Sequence, residues 1–352
     1  MKLKNLLKLW RRKIMKKSKF ISISLIGLLT LGLLAVAGCG AKSSDKAATS
    51  EQKWELKAGH VAAASHPMNT ELINMGKQIE EKTNGRVKIA VFPEATVGGE
   101  REMLEGAKLG TMDMVLSTTA VAGNFDPKMK IFDLPFLFKD REQAIKVLDG
   151  PIGEKLLDGM SSQGLVGLSF WENGFRNLTN SKRPIEKPED IQGLKIRTME
   201  NPIHMDAWKS LGALPTPMAF AEVFTALQQG TIDGQENPLA IISTSRLYEV
   251  QKYVALTNHN YSPMVLVISK KVWDSFPDDI KVTFKELSKS NAKVERQMLK
   301  EADEKYIADM KKFGTVITTP DSTAFREKVK PVYEKYSKEI GEDIIKQILD
   351  TK

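Results

Sequence analysis

Cysteine is almost absent from this chain, which has a single one, Cys39, among 352 residues. A disulfide needs two cysteines and a thiolate metal site usually needs more than one, so we expect neither. Histidine is also scarce, with four residues. The two closest in sequence, His60 and His66, stand six positions apart on a predicted loop, which is a poor metal-binding pattern. The sequence therefore predicts no metal site.

Signature motifs for catalysis are missing as well. The sequence contains no HExxH, no GxSxG, no glycine loop ending in GK[ST] and no dinucleotide-binding fingerprint. We therefore predict that the protein is not an enzyme and that it binds no cofactor.

Acidic residues are absent from positions 1–38, which contain nine lysines and arginines. An apolar run, Phe20–Ala37, follows the basic stretch, and small residues then lead to Cys39. This is the layout of a secretory signal, and the letters VAGC resemble the lipobox of bacterial lipoproteins. We predict a lipoprotein signal peptide at 1–38 and lipidation of Cys39, which would hold the protein on the outer face of the cytoplasmic membrane. A plain transmembrane anchor is the alternative, and Met15 is a second possible start.

The net positive charge of the chain comes from residues 1–38. Subtracting the nine positive charges of residues 1–38 from the net charge of +8 leaves −1 for the remainder. That remainder gives no reason to expect a nucleic-acid partner. Residues 39–52 are small and polar and predict a flexible tether. The rest is long enough for two lobes with cores of their own.

One segment, 213–240, is the most informative part of the chain. Its letters, ALPTPMAFAEVFTALQQGTIDGQENPLA, predict a proline-bracketed entry, a helix, a glycine stop and a strand with a polar end. Within it, EVFTALQQGTID (222–233) aligns without a gap with EMLEGAKLGTMD (102–113), 120 residues earlier. A helix-stop-strand unit used twice predicts two similarly built lobes, with a ligand cleft between their polar strand ends.

Strands alternate with helices along the chain, which predicts an α/β fold with largely parallel sheets. The order opens β-α-β, with strands at Trp54–Lys57 and Arg86–Phe92 and a helix at Thr70–Lys82. A single helical pattern covers Asp278–Phe313. A helix of that length extends about 50 Å, so we expect it to run along both lobes.

Two arginines follow predicted strands, Arg176 and Arg197. A guanidinium at a strand end that faces a cleft can bind a carboxylate through two parallel hydrogen bonds. An ordinary surface arginine on a loop is the alternative for each of them.

From about Trp54 onward the chain resembles the solute-binding subunits of tripartite ATP-independent periplasmic (TRAP) transporters, of the DctP type. The most specific motifs are VGGERE (97–102), ENGFRNLTN (172–180), GLKIRTMENP (193–202) and the segment 215–240. The resemblance implies a two-lobed periplasmic binding-protein fold with a hinge, crossing strands and one long helix spanning both lobes. It also implies a small carboxylate ligand in the cleft, and integral membrane permease subunits as partners.

The same resemblance implies roles for individual residues. The carboxylate-binding arginine of the family falls on Arg197, and a second ligand-side arginine falls on Arg176. The cleft asparagine falls on Asn237 and the aromatic that stacks on the ligand falls on Phe220. One lobe would consist of 53–174 plus 263–302, and the other of 175–262 plus 303–352.

The ligand expected from the resemblance is a uronate or a related sugar acid. Sialic-acid members carry Asn and Glu where this chain has Val61 and Thr118, so sialate is not expected. Hydroxyl groups of the ligand would contact Glu100, Asn237, His60 and Asn173.

Three other functions stay open from the sequence. A C4-dicarboxylate would need positive partners at both ends, which Arg176 and Arg197 could supply. An extracellular enzyme acting on sugar acids would need an acid–base pair, for which Glu100 and Glu236 are the candidates. An anchored sensor or adhesion module is the third possibility.

Overall fold

The computed structural model describes residues 52–352. The predicted signal peptide at 1–38, Cys39 and nearly all of the tether at 39–52 lie outside the described residues. Within the described part, no helix is both long enough and apolar enough to cross a membrane.

A sheet of nine strands forms the centre of the described part. The strands are β1 Trp54–Gly59, β2 Val87–Phe92, β3 Met114–Thr118, β4 Leu165–Asn180, β5 Lys195–Thr198, β6 Leu214–Pro217, β7 Gly234–Pro238, β8 Tyr253–Ser269 and β9 Val316–Thr318. They lie in the order β2-β1-β3-β8-β4-β7-β5-β6, with β9 paired to β8. The outer pairs β1–β2, β1–β3, β5–β6 and β5–β7 are parallel, as the alternating pattern predicted.

The central pairs β3–β8, β4–β8 and β4–β7 are antiparallel, which the alternating pattern did not indicate. Strands β4 and β8 are 16 and 17 residues long, and they pair with each other over nearly their whole length. Both strands lie between the group β2-β1-β3 and the group β7-β5-β6, and each of these groups is parallel within itself. Strands β4 and β8 are therefore the crossing strands of a two-lobed fold. Their pairing shifts register at three places, Gly167/Ser169, Glu172/Gly174 and Arg176/Leu178.

Helices cover the sheet. Residues 52–352 contain the α-helices α1 Pro67–Lys82, α2 Glu100–Leu109, α3 Thr119–Ala122, α4 Arg141–Leu148, α5 Pro151–Gly159, α6 Pro202–Ser210, α7 Phe220–Gln228, α8 Leu239–Thr244, α9 Lys270–Ser275, α10 Asp278–Phe313, α11 Ser322–Lys328, α12 Lys330–Ile340 and α13 Glu342–Asp350. Short 3-10 helices occur at Pro127–Asp133, Met160–Gln163, Pro188–Ile191 and Leu247–Glu249.

The long helix α10 has the predicted bounds, Asp278–Phe313. Acidic residues occupy its first turn and lysines its last turn, which suits the helix dipole. Gly314, with φ of 102°, ends it in the left-handed region. The helix packs on α1, on the crossing strand β4 and on α8, so it contacts elements from both halves of the sheet.

The internal repeat is confirmed in three dimensions. In each copy a helix, α2 or α7, is followed by a left-handed glycine and then by a strand, β3 or β7. The aspartate of each GTxD motif has the same role, since Asp113 accepts a hydrogen bond from the backbone N–H of Lys57 and Asp233 accepts one from Lys195. Each aspartate thereby ties its unit to the neighbouring parallel strand.

Candidate functional site

A pocket lies where the crossing strands meet the ends of β3, β5 and β7. It is lined by Val61, Ala62, Met68, Glu100, Thr118, Asn173, Arg176, Arg197, Met199, Phe220, Asn237, Ile241 and Met264. Its polar residues come from helix α2 and from the strands β3, β4, β5 and β7. Arg197 and Asn237 are each only 3% exposed, whereas Glu100, Val61 and Phe220 are partly exposed.

Six of the seven predicted binding residues line this pocket. They are Arg197, Arg176, Asn237, Phe220, Glu100 and Asn173. These residues are spread over positions 100–237 of the sequence, and the sheet order brings them together.

His60 is the predicted residue that the structure places elsewhere. Its side chain is fully buried, and its Nε2 lies 3.1 Å from Asn69 Oδ1 on helix α1. Its backbone N–H still pairs with Phe92, so His60 continues the extended run of β1, and its side chain is not among those that line the pocket. The two following residues, Val61 and Ala62, line the pocket instead.

Arg176 is fully buried and tied to neighbours on β7. Its Nε donates to Glu236 Oε2, and its Nη2 lies 3.0 Å from Glu236 Oε1, 2.6 Å from the Glu236 carbonyl oxygen and 3.1 Å from Asn237 Oδ1. His259 Nε2 lies 3.0 Å from the same carboxylate. Burial by itself raises the pKa of Glu236, but Arg176 and His259 hold that pKa well below its ordinary value. The positive charge of Arg176 is thus balanced by an ionised Glu236.

Arg197 is buried without such a partner. Its Nε and Nη2 both donate to the carbonyl oxygen of Met218, at 2.9 and 2.6 Å, which fixes the plane of the guanidinium. Among the salt bridges of residues 52–352, none involves Arg197. Burial lowers the pKa of Arg197 to about 10 and nearby Arg176 also lowers it, while the carboxylates of Glu236, Glu100 and Glu200 oppose the decrease. The group therefore stays charged at neutral pH and presents to the pocket a cation that has no salt-bridge partner in residues 52–352.

Glu100 begins helix α2 and faces Arg197 across the pocket. Its carboxylate accepts hydrogen bonds from the backbone N–H of Thr118 at 2.6 Å and from its hydroxyl at 3.1 Å. Burial raises the pKa of Glu100, while Thr118 and the charge of Arg197 oppose the rise. This carboxyl can accept a hydrogen bond from a ligand hydroxyl, and it repels a second anion.

An apolar wall completes the pocket, and sequence reasoning missed it. Three methionines, Met68, Met199 and Met264, contribute to it together with Ile241. Phe220 lies beside them, with its ring centre 5.9 Å from the Arg197 guanidinium carbon. The alternation of strand β5 could have indicated Met199, which stands two residues after Arg197. The others come from distant helices and strands and have no such signal.

Two α/β lobes on crossing strands, with a pocket between them that presents a buried cation, define an extracytoplasmic solute-binding protein. The family model for bacterial extracellular solute-binding proteins, family 7 (DctP), matches residues 58–339. The chain belongs to this family, whose members are the binding proteins of TRAP transporters.

Several relatives are known with a ligand. A TRAP solute-binding protein of Polaromonas sp. JS666, solved with D-erythronate, is 44% identical with a TM-score of 0.84, over 85% of this chain and 99% of that one. One from Xanthobacter autotrophicus Py2, solved with β-D-galacturonate, is 34% identical with a TM-score of 0.82, over 84% and 100% of the two chains. The C4-dicarboxylate-binding periplasmic protein of Rhodobacter capsulatus is 32% identical over 82% of this chain and 88% of its own.

Proposed function

We propose that this protein captures a sugar acid, a uronate or a related compound, and delivers it to the membrane permease of a TRAP transporter. The observation that carries the proposal is Arg197, a fixed and charged guanidinium that faces the pocket without a carboxylate partner in the described chain. A single ligand carboxylate supplies the missing negative charge, through charge-assisted hydrogen bonds that are strong in a closed pocket.

The charge balance of the pocket favours one carboxylate over two. Arg176 is already neutralised by Glu236, so the pocket offers one uncompensated cation, Arg197. A second ligand carboxylate would meet the carboxyl of Glu100 or the Arg176–Glu236 pair, and it would be buried without a counterion, which is costly. This argues against a C4-dicarboxylate, although a relative in Rhodobacter capsulatus binds one.

The remaining pocket side chains suit a polyhydroxylated acid. Glu100, Asn237 and Asn173 would contact hydroxyl groups, and Phe220 would cover a carbon face of the ligand. We assign His60 no contact with the ligand, since its side chain is not among those that line the pocket. The ligands of the Polaromonas and Xanthobacter relatives, an aldonate and a uronate, are both of this chemical type.

The protein would work by hinge closure between a lobe of 53–174 plus 263–302 and a lobe of 175–262 plus 303–352. The register shifts in β4 at Glu172/Gly174 and Arg176/Leu178 fall at the proposed boundary between these lobes. We further propose that residues 1–38 are a signal peptide, that a lipid on Cys39 anchors the protein outside the cytoplasmic membrane, and that the ligand is released without chemical change.

A ligand screen tests the proposal. Glu51–Lys352 form one compact unit, which can be purified and melted with uronates, aldonates and C4-dicarboxylates. A ligand at 100 times its Kd adds about 2.7 kcal/mol of stability, a clear rise in Tm. If no acid raises the Tm, the protein does not bind this class. If succinate or malate gives the largest rise, the dicarboxylate alternative replaces the sugar acid. NMR of the ligand after long incubation checks for turnover, which would revive the enzyme alternative.

A further inference from the structure

One residue of the crossing strand β4, Asn173, stands outside the regular pairing of the sheet. Glu172 pairs with Pro263 and Gly174 pairs with Ser262, which are neighbours on β8. Asn173 is therefore an extra residue on β4 that has no pairing partner on β8. A bulge of this kind reverses the alternation of side chains along a strand. Asn173 and Arg176 are three positions apart and would point to opposite faces of a regular strand, yet both line the pocket.

Each of these two side chains carries a polar atom that is buried and unpaired. Asn173 Oδ1, an acceptor, and Arg176 Nη1, a donor, have no hydrogen-bond partner anywhere in residues 52–352. Asn173 is 4% exposed and Arg176 is fully buried. A buried polar group without a partner destabilises the protein, so a ligand that pairs both atoms gains binding free energy.

A hydroxyl group is the ligand group that pairs both atoms at once, because it can accept from Arg176 Nη1 and donate to Asn173 Oδ1. A ketone or an ether oxygen only accepts, and it leaves the asparagine oxygen unpaired. A carboxylate also only accepts, and it would place negative charge against that oxygen. Asn173 and Arg176 both line the pocket, so a ligand hydroxyl placed between their side chains would satisfy both atoms.

We propose that Asn173 and Arg176 select acids that carry a hydroxyl on the carbon next to the carboxylate. This rests on the proposed function, in which the carboxylate binds Arg197 beside Arg176. Open-chain aldonates have such a hydroxyl. In a pyranose uronate the corresponding carbon carries the ring ether oxygen, which cannot donate. The inference therefore narrows the ligand from sugar acids in general to aldonates and other 2-hydroxy acids.

Titration calorimetry on the Glu51–Lys352 protein tests this with D-erythronate, L-threonate, 3,4-dihydroxybutanoate and D-galacturonate. We expect the better of the two aldonates to bind about 100-fold more tightly than 3,4-dihydroxybutanoate, which lacks the 2-hydroxyl, because a site built for a hydroxyl discriminates strongly. Galacturonate should be weaker than that aldonate by a similar factor. Binding of 3,4-dihydroxybutanoate or galacturonate within tenfold of the better aldonate overturns the selection, while it leaves the proposed function intact. If none of the acids binds, both the proposed function and the selection fail.

A variant separates the role of Asn173 from general stability. Asn173→Ala should weaken aldonate binding about 100-fold and leave 3,4-dihydroxybutanoate within about threefold, because that acid does not use the amide. Asn177→Ala on the same strand is the matched control, since Asn177 is buried to a similar degree but bonds to Phe175 and Asn258 outside the pocket. It should preserve the ratio of the two affinities. An Asn173→Ala protein that loses both acids equally would contradict the assignment. If that variant does not fold, the wild-type comparison of the four acids decides.

Discussion

Replacing Arg197 by lysine should make acid binding weaken at alkaline pH in a way that the wild-type protein does not show. Burial lowers the pKa of Arg197 from 12.5 to about 10, a change of about 2.5. At about 1.4 kcal/mol for each pKa unit, this environment disfavours the charged form by about 3 kcal/mol. A lysine starts from about 10.4, so the same burial would bring its pKa to about 8.

Only the protonated form of the lysine carries the positive charge that attracts a carboxylate. Affinity of the Arg197→Lys protein should be constant below about pH 8 and fall about tenfold for each pH unit above it. The wild-type guanidinium stays charged up to about pH 10, so its affinity should not change in that way. Burial also raises the pKa of Glu100, but ionisation of Glu100 affects both proteins, so it cancels in the ratio of their affinities.

Calorimetric titration with D-erythronate at pH 6.5, 7.5 and 9, at constant ionic strength, measures that ratio. Arg183→Lys is the matched control, because Arg183 also donates through Nε and Nη2 to backbone carbonyls, at 2.7 and 2.8 Å, but lies outside the pocket. It should leave affinity unchanged at every pH. A ratio of Arg197→Lys to wild-type affinity that stays constant from pH 6.5 to 9 would refute the assignment of the ligand carboxylate to Arg197.

Three further predictions concern buried charges and the predicted anchor. Glu295 is fully buried, and burial together with Glu172 raises its pKa well above 4.5. Above pH 4.5 the protein must therefore take up a proton when it folds, which lowers its stability. Glu295→Gln removes this cost, so it should raise the Tm at pH 8 and leave the Tm unchanged near pH 4. The pKa of Glu236 is depressed in the folded protein, so its contribution to stability is present above about pH 4.5 and is lost as the pH falls below it. Glu236→Gln should therefore cost about 3–5 kcal/mol in urea unfolding at pH 7, because it leaves Arg176 unpaired, and clearly less at pH 3. Cys39→Ser should move the protein from the membrane fraction to the soluble fraction, as immunoblotting of cell fractions would show; retention in the membrane would favour the transmembrane-anchor alternative.

Local patterns were sufficient for much of the fold. The helix Asp278–Phe313 follows from apolar spacing and from the absence of glycine and proline before Gly314. The repeat is visible in the letters, and its two aspartates do have matching hydrogen bonds. The positions of the pocket arginines came from motifs shared with a family, and the sheet brings those motifs together.

The crossing strands could not be predicted from local patterns. Strand β4 contains Glu172, Asn173 and Gly174 at its centre, and residues of these types are disfavoured in strands. The segment is held extended by pairing on both sides, with β8 along most of its length and with β7 at its end. That stabilisation comes from residues more than fifty positions away, so the local pattern does not indicate it.

The sequence did not indicate where the His60 side chain lies, for a related reason. A side chain at a strand end faces one side of the sheet or the other, and one residue of continued extension reverses the choice. The hydrogen bond from His60 to Phe92 extends the run by that one residue. Strand ends are where sequence patterns are least certain, and binding residues concentrate at strand ends.

The two arginines of the pocket show why residue type alone does not assign a role. Arg176 and Arg197 both line the pocket and are both nearly inaccessible to solvent. Arg176 lies against Glu236, so its charge is balanced and its one unpaired nitrogen can only add a hydrogen bond. Arg197 lies against a carbonyl oxygen, which orients the guanidinium but leaves its charge available. We therefore propose that Arg197 recognises the charge of the ligand and that Arg176 recognises the group beside that charge.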